Sequence, residues 1–423
     1  MRSAPARPAL RATGRRPAAL PRVASRAVAV AVGGRYGLRM PAHRWIDGDA
    51  ALAELIAEVS TAATYAFDTE FHREKSYFPH LALVQLAWPG GAAVVDPLAV
   101  DVRPMRQLLE GPALAICHAA DQDLEVLQYA CGTVPNRLFD TQVAAAFTGL
   151  GFASLSRLVQ ALVGKTLPKG DRLTDWTKRP LDASQIAYAA ADVEHLHAIR
   201  EALCARAERS GTLAWVEEEC ERLRVKPHGP PDPETAWWRI KGSRSLRGKS
   251  RGVAQKVAAW RERTAAERDV PPRFVLPDLA LASIVQRPPT SLDQLREGRG
   301  LDPRAMKGGT AAAILAAVEA GLALGDDELR RPPAGEPAVD EDVGPSVALG
   351  LALVAQIAAE LNIEPSLLGT RADVLALTAG RGSGRLASGW RAELVGKRLA
   401  DILGGRAGLS GDGHGGVRIV ELS

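Results

Sequence analysis

Two carboxylates lie two residues apart in a stretch that alternates between apolar and polar residues. Asp68 and Glu70 fall within residues 64–71 (TYAFDTEF), which the alternation predicts to be a strand. Side chains at positions i and i+2 of a strand point to the same face. Two neighbouring anions repel each other, and a divalent cation is their natural compensation. If the strand ended near Phe67, both acids would simply be exposed to water.

A second pair of acids, Asp121 and Asp123, follows the predicted strand 114–117 and begins the predicted helix 121–131. Ligands gather at the carboxyl ends of strands in open α/β sheets. Both acids also have ordinary explanations, which stay open at this point. Asp121 would cap the helix, and Asp123 in its first turn would interact favourably with the helix dipole.

A tyrosine and an aspartate lie four residues apart in the predicted helix 182–209. Tyr188 and Asp192 therefore share one helix face, where a phenol and a carboxylate can hold one metal-bound water between them. The three alanines between them keep the surface small, which allows close approach to another element. The alternative is a tyrosine on the core face and an exposed aspartate.

The elements around these residues predict an α/β fold. Strands come first and then alternate with helices, which indicates a mixed sheet flanked by helices. A Gly90-Gly91 turn predicts a hairpin-like pair of strands. Further predicted strands are 81–88 and 92–95, and further predicted helices are 101–109, 139–147 and 154–162.

Two proline-rich breaks, at 226–233 and 330–345, divide the rest of the chain. Both parts that follow a break have helical patterns, with helices predicted at 250–268, 278–286, 291–297 and 310–323. We predict an α/β domain at 41–225, helical domains at 235–325 and 346–423, and a linker at 326–345. The two helical parts are candidate divergent copies of one unit.

The charge of the 423-residue chain is unevenly distributed. Residues 1–40 hold nine arginines and no acid, so removing those nine charges from the net +4 leaves −5 for the rest. Net charge alone therefore does not indicate a nucleic-acid binder, and any such surface is a local patch. The first 40 residues fit a disordered tail or a mis-called start better than an organelle transit peptide.

The four cysteines are widely spaced and contain no C-x-x-C, which argues against a zinc module and a disulfide scaffold. No stretch of about 18 apolar residues is free of charge, and the best candidate, 343–361, is interrupted by proline and glutamate. We therefore expect a cytoplasmic protein without a membrane span.

Together the motifs resemble those of the exonucleases whose metal ligands are Asp-Glu-Asp-Asp, in the subgroup with a tyrosine four residues before the last aspartate. Within that subgroup the sequence most closely resembles the ribonuclease D family. Residues 238–324 resemble the helical HRDC-type domain near the carboxyl ends of helicases and these ribonucleases. The first resemblance covers about 44–207 and is carried by 67–71 (FDTEF), 73–79 (REKSYFP), 118–127 (HAADQDLEVL), Asp175-Trp176, 179–181 (RPL) and 188–192 (YAAAD).

This resemblance implies a ribonuclease H-like domain that acts as a 3′→5′ exoribonuclease and releases nucleoside 5′-monophosphates, with tRNA precursors or other small RNAs as substrates. It implies two divalent cations, Mg²⁺ or Mn²⁺. In the family pattern Asp68 bridges both cations, Glu70 and Asp192 complete the first site, and Asp123 holds the second. Tyr188 orients the attacking water. In the family the ligand is the aspartate directly before Leu-Glu-Val, which is Asp123 here. Asp121, two residues earlier, is then left as a possible cap.

Four further residues are predicted to bind RNA. Phe71 and Tyr77 are candidates to stack on terminal bases, and Arg251 and Lys256 are candidates to contact phosphates. A solvated helix face is the alternative for the two basic residues.

Two other functions remain open. A DNA exonuclease of the same fold would use the same carboxylates, because only contacts to the 2′-OH distinguish the substrates. A non-catalytic nucleic-acid-binding protein would be expected to lack at least one ligand, whereas all four carboxylates and the tyrosine are present.

Overall fold

The computed structural model describes residues 43–168, 174–301, 309–330, 343–380 and 384–422. The predicted tail at 1–40 lies outside these residues, and so does most of the predicted linker at 326–345.

A six-stranded mixed sheet organises the first part of the chain, with strand order β1-β4-β3-β2-β5-β6. Strand β2 lies near its centre, antiparallel to β3 and parallel to β5. The carboxyl ends of β2 and β5 therefore meet at one edge of the sheet, where the acids predicted from the sequence lie. The strands are β1 (Arg44–Ile46), β2 (Thr64–His72), β3 (His80–Trp88), β4 (Gly91–Val95), β5 (Leu114–Cys117) and β6 (Leu138–Asp140).

Helices cover both faces of this sheet. On one face Phe67 of β2 belongs to an apolar core with Leu55 and Leu124, and on the other Ala66 packs with Val193 and Leu196. This alternation along one strand is what burial on both faces requires. The helices are α1 (Asp49–Val59), α2 (Arg106–Leu109), α3 (Asp121–Cys131), α4 (Thr141–Ala146), α5 (Leu155–Leu158), α6 (Ala183–Glu194), α7 (Leu196–Ser210) and α8 (Leu213–Val225).

Three helix predictions in this part need correction. Residues 139 and 140 belong to β6 and not to a helix, and Asp140 instead caps α4 with its side chain. The predicted helix 182–209 is two helices, α6 and α7, that meet at His195. The predicted helix 154–162 is the short α5 continued by a π-helical turn, Val159–Val163. Strand β1 and helices α1 and α8 were not anticipated.

The second part is helical around α9. Helix α13 packs closely against it, because a Cβ at Gly321 would meet the Val253 Cα at 2.5 Å. The buried core of this second part includes Val253, Val257, Ile284 and Ile314. The helices are α9 (Lys249–Arg268), α10 (Pro272–Val275), α11 (Asp278–Gln286), α12 (Leu292–Arg296) and α13 (Thr310–Ala323), preceded by 3₁₀ turns at Pro233–Arg239 and Ser243–Ser245.

The last part is helical up to Leu403 and then forms a hairpin, β7 (Ala407–Gly411) with β8 (Val417–Glu421), which the prediction of a helical domain at 346–423 did not include. Helix α14 is long and apolar enough to cross a membrane by length and composition, but its Leu353 and Ile357 are buried in a core shared with the first part. The helices are α14 (Gly344–Leu361), α15 (Pro365–Leu368), α16 (Arg371–Thr378), α17 (Gly389–Arg391) and α18 (Lys397–Leu403).

Candidate active site

Strand β2 and helix α6 bring three carboxylates together. Asp68 and Glu70 lie on the same face of β2, as the spacing predicts, and α6 packs over β2, β3 and β4. Helix α6 starts at a capping box in which the Asp182 carboxylate accepts a hydrogen bond from the Gln185 backbone N–H at 2.8 Å. One carboxylate oxygen each from Asp68, Glu70 and Asp192 lie within 4.8 Å of one another. The alternative of merely exposed acids is thereby excluded.

Asp123 joins this group from α3. It is 8% exposed, and one of its carboxylate oxygens accepts a hydrogen bond from the Thr69 hydroxyl. Thr69 alternates with Asp68 and Glu70 along β2, so it points towards the opposite face, where α3 packs. Sequence reasoning missed Thr69, although its place between the two acids is a signal that could have found it.

The start of α3 is held in place by a buried carboxylate that sequence reasoning also missed. Asp140 is 1% exposed and accepts hydrogen bonds from the backbone N–H groups of Ala119 at 3.1 Å, Ala120 at 2.9 Å and Gln142 at 2.7 Å. Ala119 has a φ of +60°, which few non-glycine residues adopt. Asp140 therefore fixes the turn that leads from β5 to Asp123.

Burial raises the pKa of each of the four carboxylates, and repulsion among them adds to the effect at Asp68 and Glu70. Burial raises the pKa of Asp68 well above its usual range, and the charges of Asp123, Asp192 and Glu70 add to the effect. Burial and the charges of Asp192 and Asp123 raise the pKa of Glu70 to about 8. Burial alone raises the pKa of Asp192 to about 7. For Asp123 burial raises the pKa to about 6, although the hydrogen bond from Thr69 lowers it in part.

This donor set fits divalent cations. Carboxylate oxygens are hard ligands of the kind that Mg²⁺ and Mn²⁺ prefer, and three of them converge within 4.8 Å. A cation beside them would favour the ionised forms that burial and repulsion disfavour. The use of divalent metal also follows from the exonuclease fold of this domain.

Tyr188 lies one helical turn before Asp192 on α6. Its ring stacks on Trp176, with the centroids 6.2 Å apart and the planes 22° from parallel. The segment before α6 is anchored by Arg179, whose guanidinium pairs with Asp96 at 2.6 Å and donates to the Ala82 carbonyl at 2.8 Å. Trp176 and Arg179 thus help to hold the part of α6 that carries Tyr188 against the sheet.

Asp121 and Asp123 lie in different surroundings at the start of α3. Ala120, and not Asp121, occupies the N-cap position of α3, and no side chain caps that helix. The expectation that Asp121 is a cap is therefore wrong. Asp121 is exposed and pairs with Lys226 beyond α8, whereas Asp123 faces the other carboxylates.

The four residues predicted to bind RNA all have partners within the chain. Phe71 packs against the core on the α3 side of the sheet, and the Tyr77 hydroxyl donates to Glu262 at 2.9 Å. Arg251 donates to the Leu246 carbonyl at 2.8 Å, and Lys256 pairs with Glu234 at 3.1 Å. Binding of RNA by these four side chains stays a prediction.

Comparisons with known proteins place this geometry in a class. A family model described as 3′-5′ exonuclease matches residues 43–207, and one described as HRDC domain matches residues 250–318. The mixed sheet and its carboxylates define the first part as a 3′→5′ exonuclease domain, followed by a helical HRDC domain. This confirms the predicted fold class.

Named relatives are similar to this chain along most of their length. Ribonuclease D of Gluconacetobacter diazotrophicus is 39% identical, over 82% of this chain and 89% of its own. Ribonuclease D of Jannaschia sp. is 37% identical, over 87% of this chain and 98% of its own length. The crystal structure of Escherichia coli RNase D, described as an exoribonuclease involved in structured RNA processing, superposes with a TM-score of 0.78 at 32% identity, over 86% of this chain and 99% of that one. The chain belongs to the ribonuclease D family and is a 3′→5′ exoribonuclease.

Proposed function

We propose that this exoribonuclease removes nucleotides one at a time from RNA 3′ ends and releases nucleoside 5′-monophosphates, with Asp68, Glu70, Asp123 and Asp192 holding two divalent cations, Mg²⁺ or Mn²⁺. The observation that carries the proposal is the convergence of three of these carboxylates within 4.8 Å, with Asp123 held by a hydrogen bond from Thr69 and its charge acting on Asp68. When bound, such cations lower the pKa of a water and neutralise charge on the phosphate.

The residues of the chain have distinct tasks in this mechanism. Asp68 is central to the proposed ligand set, because the charges of Asp123, Asp192 and Glu70 all act on its carboxylate. Tyr188 orients the attacking water beside Asp192 and does not deprotonate it, since a phenol ionises far above neutral pH. Trp176 supports this role by stacking on the phenol ring.

Structured RNA is the proposed substrate class, with the 3′ ends of tRNA precursors as the specific candidates. The similarity to E. coli RNase D, an exoribonuclease involved in structured RNA processing, supports the broader class. The proposed domains are those predicted at 41–225, 235–325 and 346–423. A cytoplasmic location is proposed as well, and the four cysteines, all within the described residues and all free, are consistent with a reducing compartment.

The deciding experiment digests end-labelled RNA and DNA of the same sequence with and without Mg²⁺ or Mn²⁺. We expect a ladder of shortened RNA and 5′-monophosphates only when a cation is present, and faster cleavage of RNA than of DNA. The variants D68N and D192N are expected to be inactive. Activity that survives in either variant would contradict the assigned ligands, and DNA cleaved as fast as RNA would contradict the substrate class.

A matched pair of RNAs tests the narrower substrate. A tRNA precursor with a 3′ extension is compared with an unstructured RNA of equal length, and trimming that stops near the end of the folded tRNA supports the proposal. Equal degradation of both RNAs to short fragments would reject it.

A further inference from the structure

A glutamine without hydrogen-bond partners is buried beside the carboxylates. Gln85 of β3 is 0% exposed, and neither its amide oxygen nor its amide nitrogen has a partner among the residues that the structure describes. Buried polar side-chain atoms are nearly always hydrogen-bonded, so both ends of one amide left without a partner need an explanation.

The strand register places this amide next to Asp68. Gln85 is the direct antiparallel partner of Asp68, and directly opposed residues share a face of the sheet with Cβ atoms about 5 Å apart. Helix α6, which carries Asp192, packs over this part of β3, and its Ala189 is completely buried. The Gln85 side chain thus starts beside Asp68 in the layer between the sheet and α6.

An apolar residue would stabilise this position better than glutamine if packing were its only task. The neighbours of Gln85 on the same strand face, Leu83 and Ala87, are apolar and buried. A buried amide without partners destabilises the fold relative to one whose hydrogen bonds are made. Departures from the local packing rules of this kind concentrate at functional sites.

We propose that Gln85 is a positioning residue for Asp68: its amide nitrogen donates a hydrogen bond to the Asp68 carboxylate when that carboxylate holds a cation. This inference rests on the proposed role of Asp68 as a ligand. Partners outside the ligand shell fix the orientation of ligands, and their removal costs about 10–100-fold in metal affinity or activity.

The test replaces Gln85 by methionine, which has a similar length and no hydrogen-bonding group. We expect Q85M to melt at the same temperature as the wild type or higher in EDTA, because the unsatisfied amide is removed. Mn²⁺ binding, measured by calorimetry, should weaken about 10-fold or more. The exonuclease rate at limiting Mn²⁺ should fall in parallel and recover at high Mn²⁺, which a loss of folding would not do.

Gln255 provides a matched control, because it is also a buried glutamine but is fully engaged. Its amide donates to Glu234 at 2.9 Å and accepts from the Arg330 N–H at 2.8 Å. We expect Q255M to lower the melting temperature and to leave Mn²⁺ binding unchanged.

Two comparisons make the outcome decisive. D68N must abolish Mn²⁺ binding, and if it does not, the proposed function of Asp68 fails. If D68N abolishes binding while Q85M binds Mn²⁺ as the wild type does, only the role of Gln85 is overturned. Q85N, which keeps a shorter amide, should retain more affinity than Q85M; equal losses in both variants with lowered melting temperatures would show a purely structural role and overturn the proposal.

Discussion

The carboxylate of Asp269, at the end of α9 in the HRDC part, accepts a hydrogen bond from the backbone N–H of Tyr77 at 3.0 Å, seven residues after Glu70. The same carboxylate accepts hydrogen bonds from the Phe78 N–H at 3.0 Å and from His80 at 2.8 Å. The segment between β2 and β3 is therefore held by the helical domain, and the two strands that it joins carry Asp68, Glu70 and Gln85.

Loss of the Asp269 carboxylate is expected to loosen that segment. Asp269 has a φ of +48°, so D269G removes the hydrogen bonds without backbone strain. We expect D269G to lower the free energy of unfolding by about 1–2 kcal/mol, because the Asp269 side chain is partly exposed and its hydrogen bonds are weakened by water. We also expect faster hydrogen exchange at the backbone amides of Tyr77 and Phe78. D269N, which keeps an acceptor oxygen, should show a smaller change. Unchanged exchange at both amides would refute the coupling.

The same contact predicts a loss of stability in acid. Burial acts to raise the pKa of Asp269, but the hydrogen bonds from Phe78, His80 and Tyr77 outweigh it and lower that pKa below its usual value. The stabilising contribution is therefore complete above the pKa of the unfolded chain and is lost as the pH falls through the lower folded value. Melting curves between pH 2 and 6 should show a shallower decline for D269N than for the wild type.

Cation-free protein is expected to lose stability as the pH rises from about 5 to about 8. The pKa values of Glu70 (about 8) and Asp192 (about 7) exceed those of the unfolded chain, so the folded state holds protons that the unfolded state has released. Stability falls with pH wherever the folded state binds more protons. Melting temperatures in EDTA should show this decline, and D192N should show less of it. A melting temperature that rises over this range would contradict the pKa shifts.

Cation binding should tighten over the same pH range, because each bound cation displaces protons from these carboxylates. We expect the affinity for Mn²⁺ to increase by up to about tenfold per pH unit for each proton displaced. Calorimetry in buffers of different ionisation enthalpy counts the released protons directly. Binding that is independent of pH between 6 and 8 would show that the acids are already ionised.

Asp121 and Asp123 form a matched pair of variants. D123N removes a buried carboxylate whose charge acts on Asp68. We expect activity to fall at least about 100-fold, because removing a group that merely orients a metal ligand already lowers activity by up to about that factor. D121N breaks only the exposed pair with Lys226 and should change activity less than about twofold. Similar losses in both variants would reject Asp123 as the specific ligand.

Trp390 joins the last part of the chain to the exonuclease domain. Its ring stacks on Trp215 of α8 at 4.8 Å with an interplanar angle of 14°, and meets Phe147 edge-on at 5.7 Å. We expect W390A to lower the free energy of unfolding by about 3–5 kcal/mol and W390F to cost clearly less. Denaturant titration of the full chain measures both. A loss below 1 kcal/mol in W390A would show that this contact does not stabilise the fold.

The proposed catalytic residues Asp68, Glu70, Tyr188 and Asp192 could be predicted from the sequence because their spacing within each pair is local. Asp68 and Glu70 share a face wherever a strand forms, and Tyr188 and Asp192 share a face wherever a helix forms. The structure confirms the strand and the helix that carry them. That Asp192 joins Asp68 and Glu70, with one carboxylate oxygen of each within 4.8 Å of the others, was implied by the family resemblance and not by the spacing alone.

The residues that support those carboxylates could not be predicted in the same way. The prediction of a helix at 139–147 includes Asp140, whereas pairing with β5 makes this residue the end of a strand and a cap. Thr69 matters because it donates a hydrogen bond to Asp123 of α3, which lies far away in the sequence. Gln85 matters because strand register places it opposite Asp68 of β2. The predicted continuous helix at 182–209 is interrupted at His195, where α6 ends and α7 begins.

The sequence by itself thus determined which side chains could act as ligands, because helix and strand periodicity follow from backbone geometry alone. Only the tertiary structure decided which groups orient them. Strand order brings Asp140 to the start of α3, strand register sets Gln85 opposite Asp68, and domain packing sets Asp269 against the segment after β2. Each of these is a contact between distant parts of the chain, and its energy depends on burial that no local pattern specifies.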